Sequence, residues 1–277
     1  MSVARSVQRA PKAPWLLAPL LLTMLVPFAW MLFLSVQPGA GGDLSLHALS
    51  KARFTLEHYA ELLKQSAFPR YLFNSLFVAT VVVGGNVLTG AMVGYALARK
   101  RFFGNRALTW GVIATLMVPK QVLMIPLYLV LAKLHLLNTY AALILPFFVD
   151  AFSIFLVRQY VMQLPHELED AARVDGAGEL RIFATIVLPL LRPALAVVAI
   201  NGFLLNWNSF LFPLIFTDSD RLRTLPVGLA LFAQGEHAVD WGLLMAGSTI
   251  SAMPVLLAFV VFQRQIIEGI TAGAEKG

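Results

Sequence analysis

Cysteine is absent from the 277 residues. Its absence excludes disulfides, zinc–thiolate sites, iron–sulfur clusters and thiol nucleophiles. Charge is scarce as well. Only 13% of the residues are charged, against roughly 25% in an ordinary soluble domain. So small a share cannot cover a soluble surface, which argues against a soluble enzyme. No Gly-Lys pair occurs, so there is no phosphate-cradling Walker A loop. H-E-x-x-H, G-x-S-x-G and G-x-G-x-x-G are missing too. His47, His58, His135, His166 and His237 lack ligand spacing and read as surface or loop residues, so no metal site is expected.

What is present is apolar length. Hydrophobic residues make up 58% of the chain, and a membrane-crossing helix needs about 20 of them in a row. Runs at 15–36, 72–98, 108–132, 140–163, 193–217 and 242–263 qualify. They imply an all-α membrane protein with six transmembrane helices. The first run follows Arg5, Arg9 and Lys12 as a signal peptide would, but it exceeds the roughly 7–15 apolar residues of such a segment. The net charge of +6 is read as the cytoplasmic bias of Lys and Arg rather than as a nucleic-acid footprint, because no basic stripe interleaves with aromatics. Arg99, Lys100, Arg101 and Arg106 fill one short loop without an acid, which makes that loop cytoplasmic and places both termini inside. The expected organisation is a cytoplasmic tail over 1–14, one six-helix domain over 15–267 and a second cytoplasmic tail over 268–277. The stretch 37–71 then lies outside. There Thr55 can cap a short helix with Leu56, Tyr59, Leu62 and Leu63 on one face.

The segment 164–193, between spans four and five, is the most distinctive. Pro165 suits a first helical turn, and Glu167, Glu169 and Asp170 sit near its positive end. Gly176 can take the left-handed conformation that ends the helix. Leu168, Ala171, Ala172 and Asp175 share one small, weakly apolar face, suited either to docking or to packing on the chain's own bundle.

This segment resembles the E-A-A loop of ABC-importer permeases through Asp170-Ala171-Ala172, Asp175-Gly176-Ala177 and Ile186-Val187-Leu188-Pro189. Asp170 stands where the family usually has glutamate. Further stretches resemble the carbohydrate-uptake branch and its smaller second permease of the maltose or multiple-sugar type: Asn74-Ser75-Leu76, Gly94-Tyr95-Ala96-Leu97-Ala98-Arg99, Trp207-Asn208-Ser209-Phe210 and Gly269-Ile270-Thr271-Ala272-Gly273-Ala274. The resemblance implies a non-catalytic subunit that couples to ATPases through Glu169, Asp170, Ala171, Ala172, Asp175, Gly176 and Ala177. It implies a homologous second permease, two ATPase subunits that hold the ATP and Mg, and an extracytoplasmic sugar-binding protein. Its setting is the bacterial or archaeal inner membrane.

A sugar path needs polar groups within the bilayer. Asn201 and Asn208 share a face of span five, Asn206 points elsewhere, and Trp207 can stack on a pyranose. The same residues also suit interhelical hydrogen bonds. Lys120 and Asp150, deep in spans three and four, either pair structurally or line the path. Gly84, Gly85, Gly90 and Gly94 allow close helix approach, expected toward the second permease. An ion-coupled secondary carrier using Asp150 is the alternative class. A polyol or glycerol-phosphate cargo is the alternative substrate.

Overall fold

The computed structural model describes residues 14–38, 54–64, 67–233 and 240–274, with side chains from Ala18 to Phe262 within those ranges. Arg5, Arg9, Lys12, His47, His237, Lys276 and the side chains of 269–274 lie outside the described part. The described residues form helices and connections, as the apolar runs require. In order they are α1 (Pro14–Ser35), α2 (Glu57–Lys64), α3 (Phe68–Arg99), α4 (Asn105–Met117), α5 (Lys120–Lys133) and α6 (Tyr140–Ile144). They continue with α7 (Ala151–Val161), α8 (Glu167–Val174), α9 (Glu179–Leu190), α10 (Arg192–Trp207), α11 (Leu211–Phe216), α12 (Leu225–Phe232) and α13 (Trp241–Ala274). Among the described residues four segments are long and apolar enough to cross a membrane, within α1, α3 and α13 and over Tyr140–Val161 (α6 with α7), and six if each of two bent pairs counts as one span.

Breaks interrupt several of the continuous runs expected from hydropathy. α4 and α5 meet at 95° rather than forming one helix over 108–132. Val118 is extended (φ −88°, ψ 118°) because the ring of Pro119 disfavours helix in the residue before it. The run 140–163 is interrupted before Asp150, which is extended and caps α7. The run 193–217 stops at Trp207 and restarts at Leu211, and α10 is bent by 71° from α9.

Two compact units divide the chain: 1–65 with 232–250, and 66–231 with 251–277. In the first, the Glu57 N–H donates to Thr55 Oγ1 at 3.2 Å where α2 begins. Its inward residues are His58 and Leu62, whereas Leu56 and Leu63 are exposed. His58 is therefore not a surface histidine. Its Nε2 lies 2.8 Å from the carbonyl of Gln37, and its ring lies against Gly242.

In the second unit α3 is the central post. α7 and α10 pack along it. A Cβ on Gly85 would strike Phe148, one on Gly90 would stand 3.2 Å from the carbonyl oxygen of Ser153, and one on Gly94 would stand 2.9 Å from Val157. These glycines thus serve a seam inside this chain, not the contact with a second permease expected from their spacing. Gly84 alone of the set faces open space. At one end of the seam Tyr95, Val157, Val161, Ile182, Val187, Leu191 and Val198 form a core. Toward the other, Val78, Val82, Leu131, Leu143, Phe212 and Phe216 form a second. Asn74 ties down the 218–224 connection by donating to the carbonyls of Arg221 (3.0 Å) and Arg223 (2.8 Å), while its Oδ1 accepts from Tyr140 (2.7 Å).

Candidate functional site

Two places concentrate polar chemistry, and the first is α8. The helix ends as its sequence dictates: Gly176 has φ +80°, the Gly176 N–H donates to Arg173 O at 3.0 Å, and the Ala177 N–H donates to Ala172 O at 2.9 Å. That is the paired C-terminal bonding of a Schellman cap. The helix face differs from the expected one. Ala172 is buried against the core and Ala177 packs beside it, whereas Leu168, Ala171, Asp175 and Gly176 are on the outside. Val174 and Leu180, which the sequence reading passed over, are 88% and 84% exposed. The outward surface is therefore more apolar than the predicted face.

Glu169 is 3% exposed and turned into the bundle. Its carboxylate accepts from Tyr95 Oη at 2.9 Å, Arg99 Nε at 2.8 Å and Arg173 at 3.3 Å. Arg99 donates further to Leu164 O at 2.6 Å and lies 2.7 Å from His166 Nε2. So Arg99, read from sequence as one of a row of cytoplasmic charges, is a buried partner whose side chain is 3% exposed. Asp170 stays outside and pairs with Arg173 at 2.6 Å. Arg173 also pairs with Glu179 at 3.0 Å, and Lys100 reaches Glu179 from the end of α3. The hydrogen bond from Arg173, then that from Lys100, hold the Glu179 carboxyl below its ordinary range. The bond to Glu179 likewise raises Arg173 above its own.

The second place is a cavity of about 430 Å³. Three helix interruptions meet there: Pro119 before α5, Asp150 before α7, and the 208–210 break after α10. Each frees backbone groups that an unbroken helix would satisfy, and side chains take them up. Asn86 donates to Phe147 O (2.8 Å) and Phe148 O (3.0 Å). Asp150 Oδ2 accepts from the Ser153 N–H and Oγ at 3.0 Å each, while Asp150 Oδ1 accepts from Lys120 Nζ at 2.9 Å. Lys120, Asp150 and Asn208 line the cavity, and so do Asn206, Gln121 and Ser209. Asn201 and Trp207 do not. The Trp207 indole is 1% exposed, stacks on Phe203 with centroids 5.5 Å apart, and donates to Ser251 O at 3.0 Å. It is a packing residue and presents no face for a sugar. Asn206, expected to point elsewhere, is the lining residue in its stead. The cavity meets the face of α10 that carries Gly202, Leu205 and Asn206, at the i, i+3, i+4 spacing of a regular helix, rather than the face of Asn201.

Comparison with known proteins agrees with this architecture. Residues 86–272 match the family described as "Binding-protein-dependent transport system inner membrane component". The chain is 43% identical over 204 residues, 74% of this chain and 73% of the relative, to an arabinooligosaccharides transport system permease protein of Halalkalibacterium halodurans. It is 38% identical over 260 residues, covering 91% and 92% of the two chains, to a trehalose/maltose transport system permease protein of Thermococcus litoralis. A chain in the crystal structure of a bacterial ABC transporter that imports the acidic polysaccharide alginate superposes with TM-score 0.77 at 23% identity, covering 90% of this chain and 93% of that one. The last match bears on the fold.

Proposed function

The chain belongs to the inner membrane components of binding-protein-dependent transport systems, and from that membership we propose how it works within a carbohydrate ABC importer. It is a multi-pass permease that forms half of a translocation path with a second, homologous permease. Two cytoplasmic ATPase subunits hold ATP and Mg, and an extracytoplasmic protein delivers the sugar at a bacterial or archaeal inner membrane. The names of the relatives support an oligosaccharide cargo.

One observation carries the coupling role. α8 is bolted to the end of α3 through buried Glu169, yet turns Leu168, Ala171 and Val174 outward. A rigid element clamped at one side and apolar at the other is suited to transmitting a two-state change from a docked partner. Closure of an ATPase groove around α8 thereby pulls on α3, and α3 carries α7 and α10 with it.

The test is uptake into vesicles holding both permeases and both ATPases, with the binding protein outside and labelled arabinotriose or maltotriose as cargo. Uptake is expected to need internal ATP, to stop with vanadate and to survive an ionophore that collapses ion gradients. Ion-driven uptake by this chain without ATPase subunits would overturn the proposal.

A further inference from the structure

Among the described residues, Lys120 and Asp150 are the only ionisable ones lining the 430 Å³ cavity, and they neutralise each other at 2.9 Å. The remaining polar lining is uncharged. Asn206 and Asn208 each donate a side-chain N–H to their own helix, at 2.8 Å to Gly202 O and 2.8 Å to Leu204 O. Among the described residues no group donates to either amide oxygen, and Gln121 has no side-chain partner. Apolar surface completes the wall, including the edge-to-face pair Phe147–Phe212 with centroids 5.0 Å apart. The volume falls within the roughly 300–1,000 Å³ of small-molecule sites.

We propose that this cavity is a subsite, within this chain, for about one or two uncharged sugar rings, and that the Lys120–Asp150 pair excludes anionic sugars by cancelling the charge that would hold them. The inference rests on the carbohydrate-importer reading. A sugar hydroxyl both donates and accepts. Amide oxygens at Asn206 and Asn208 with donors at Gln121 and Lys120 supply both halves, while apolar CH faces of a ring meet the phenylalanines. An anionic sugar needs a cation of its own. Lys120 is committed to Asp150, and Asp150 is committed twice over, because it also caps α7 through Ser153. The site thus departs from what an acidic polysaccharide or a sugar phosphate requires.

This chain has no native cysteine, so a single thiol introduced into it can be followed against the complex without that substitution. Ser209→Cys and Asn208→Cys, each in the assembled complex, place single thiols on the cavity wall, and Asn201→Cys places one on the same helix outside it. Labelling is followed with a cationic and an anionic methanethiosulfonate reagent, each rate divided by that for a free thiol. The two normalised rates are expected to agree at 208 and 209. Asp150→Asn keeps a good helix cap but releases the charge of Lys120. It should shift the ratio roughly tenfold toward the anionic reagent, the effect of one unpaired charge at close range. Maltotriose or arabinotriose, whichever the wild-type complex imports, should slow labelling at 208 and 209 and leave 201 unchanged. Trigalacturonate should not slow it.

Protection by trigalacturonate equal to that by the neutral sugar overturns the proposal. So does a strong preference for either reagent before Asp150 is changed, and so does failure to label 208 and 209 at all. Unprotected thiols in a complex that still imports the sugar with ATP overturn the subsite while leaving the importer reading intact. Absence of ATP-driven uptake by the wild-type complex overturns the importer reading itself.

Discussion

Glu169 shows how much one buried carboxylate can organise. It takes hydrogen bonds from two cations and a phenol, and among the described residues Arg99 pairs with no second carboxylate. Removing one member of a buried pair costs about 3–5 kcal/mol because the other charge is stranded. Glu169→Gln should therefore lower the unfolding temperature of the purified complex clearly. Tyr95→Phe, which loses one bond to a charged group worth about 1.5–3 kcal/mol, should lower it less. Asp170→Asn, in an exposed pair worth about 0–1 kcal/mol, should barely move it. Thermal unfolding of the three variants in detergent checks the order, and a larger effect at Asp170 would contradict it. Gly176 is a different case. A Cβ there meets nothing within 4 Å, so only its φ of +80° resists a side chain. Gly176→Val should cost about 1–3 kcal/mol of local strain and re-aim α8. Membrane insertion should be preserved while recovery with the ATPases and sugar uptake fall. Gly176→Asn, which tolerates positive φ, should retain most of both.

Among elements, the seam between α3 and α7 is the strictest constraint. A Cβ added at Gly94 would stand 2.9 Å from Val157 Cβ, and one at Gly90 would meet backbone, which cannot yield as a side chain can. Overpacking costs about 1–3 kcal/mol even where neighbours can shift. Gly90→Val and Gly94→Leu should therefore destabilise the chain in thermal unfolding, and Gly84→Leu should not, since its side is open. Equal losses at all three would mean that the seam is not what the glycines serve. Much of this was legible in sequence. Glycine spacing announced a close approach, and Gly176 announced a helix end. The partner of the approach was not legible, because small residues state how near a neighbour comes but not which helix it is. Hydropathy also ran across Val118–Pro119, since averaging over a window does not register the backbone restriction before proline. The inward turn of Glu169 was hidden for a related reason. A glutamate reads as solvent-facing until Tyr95 and Arg99, distant in sequence, are brought beside it.

For the whole molecule, loop charge decides which way the helices run. The loop from Arg99 to Arg106 remains basic on its exposed side at Lys100, Arg101 and Arg106 even with Arg99 buried, so the positive-inside argument survives its loss. A reporter fused after Arg101 should read cytoplasmic and one near Glu61 external. The opposite pattern would invert the molecule and move α8 to the side without ATP.

The clamp on Glu169 bears on ancestry and engineering. Permease loops invite exchange, since 164–193 looks like a self-contained cassette with its own start and stop. Grafted alone onto a host lacking a matching phenol and guanidinium, the cassette would carry a buried carboxylate with only the half-exposed Arg173, 3.3 Å away, left to neutralise it. The tail of α3, from Gly94 to Arg99, must travel with the loop. Two stretches some seventy residues apart in the chain are in that sense a single heritable part.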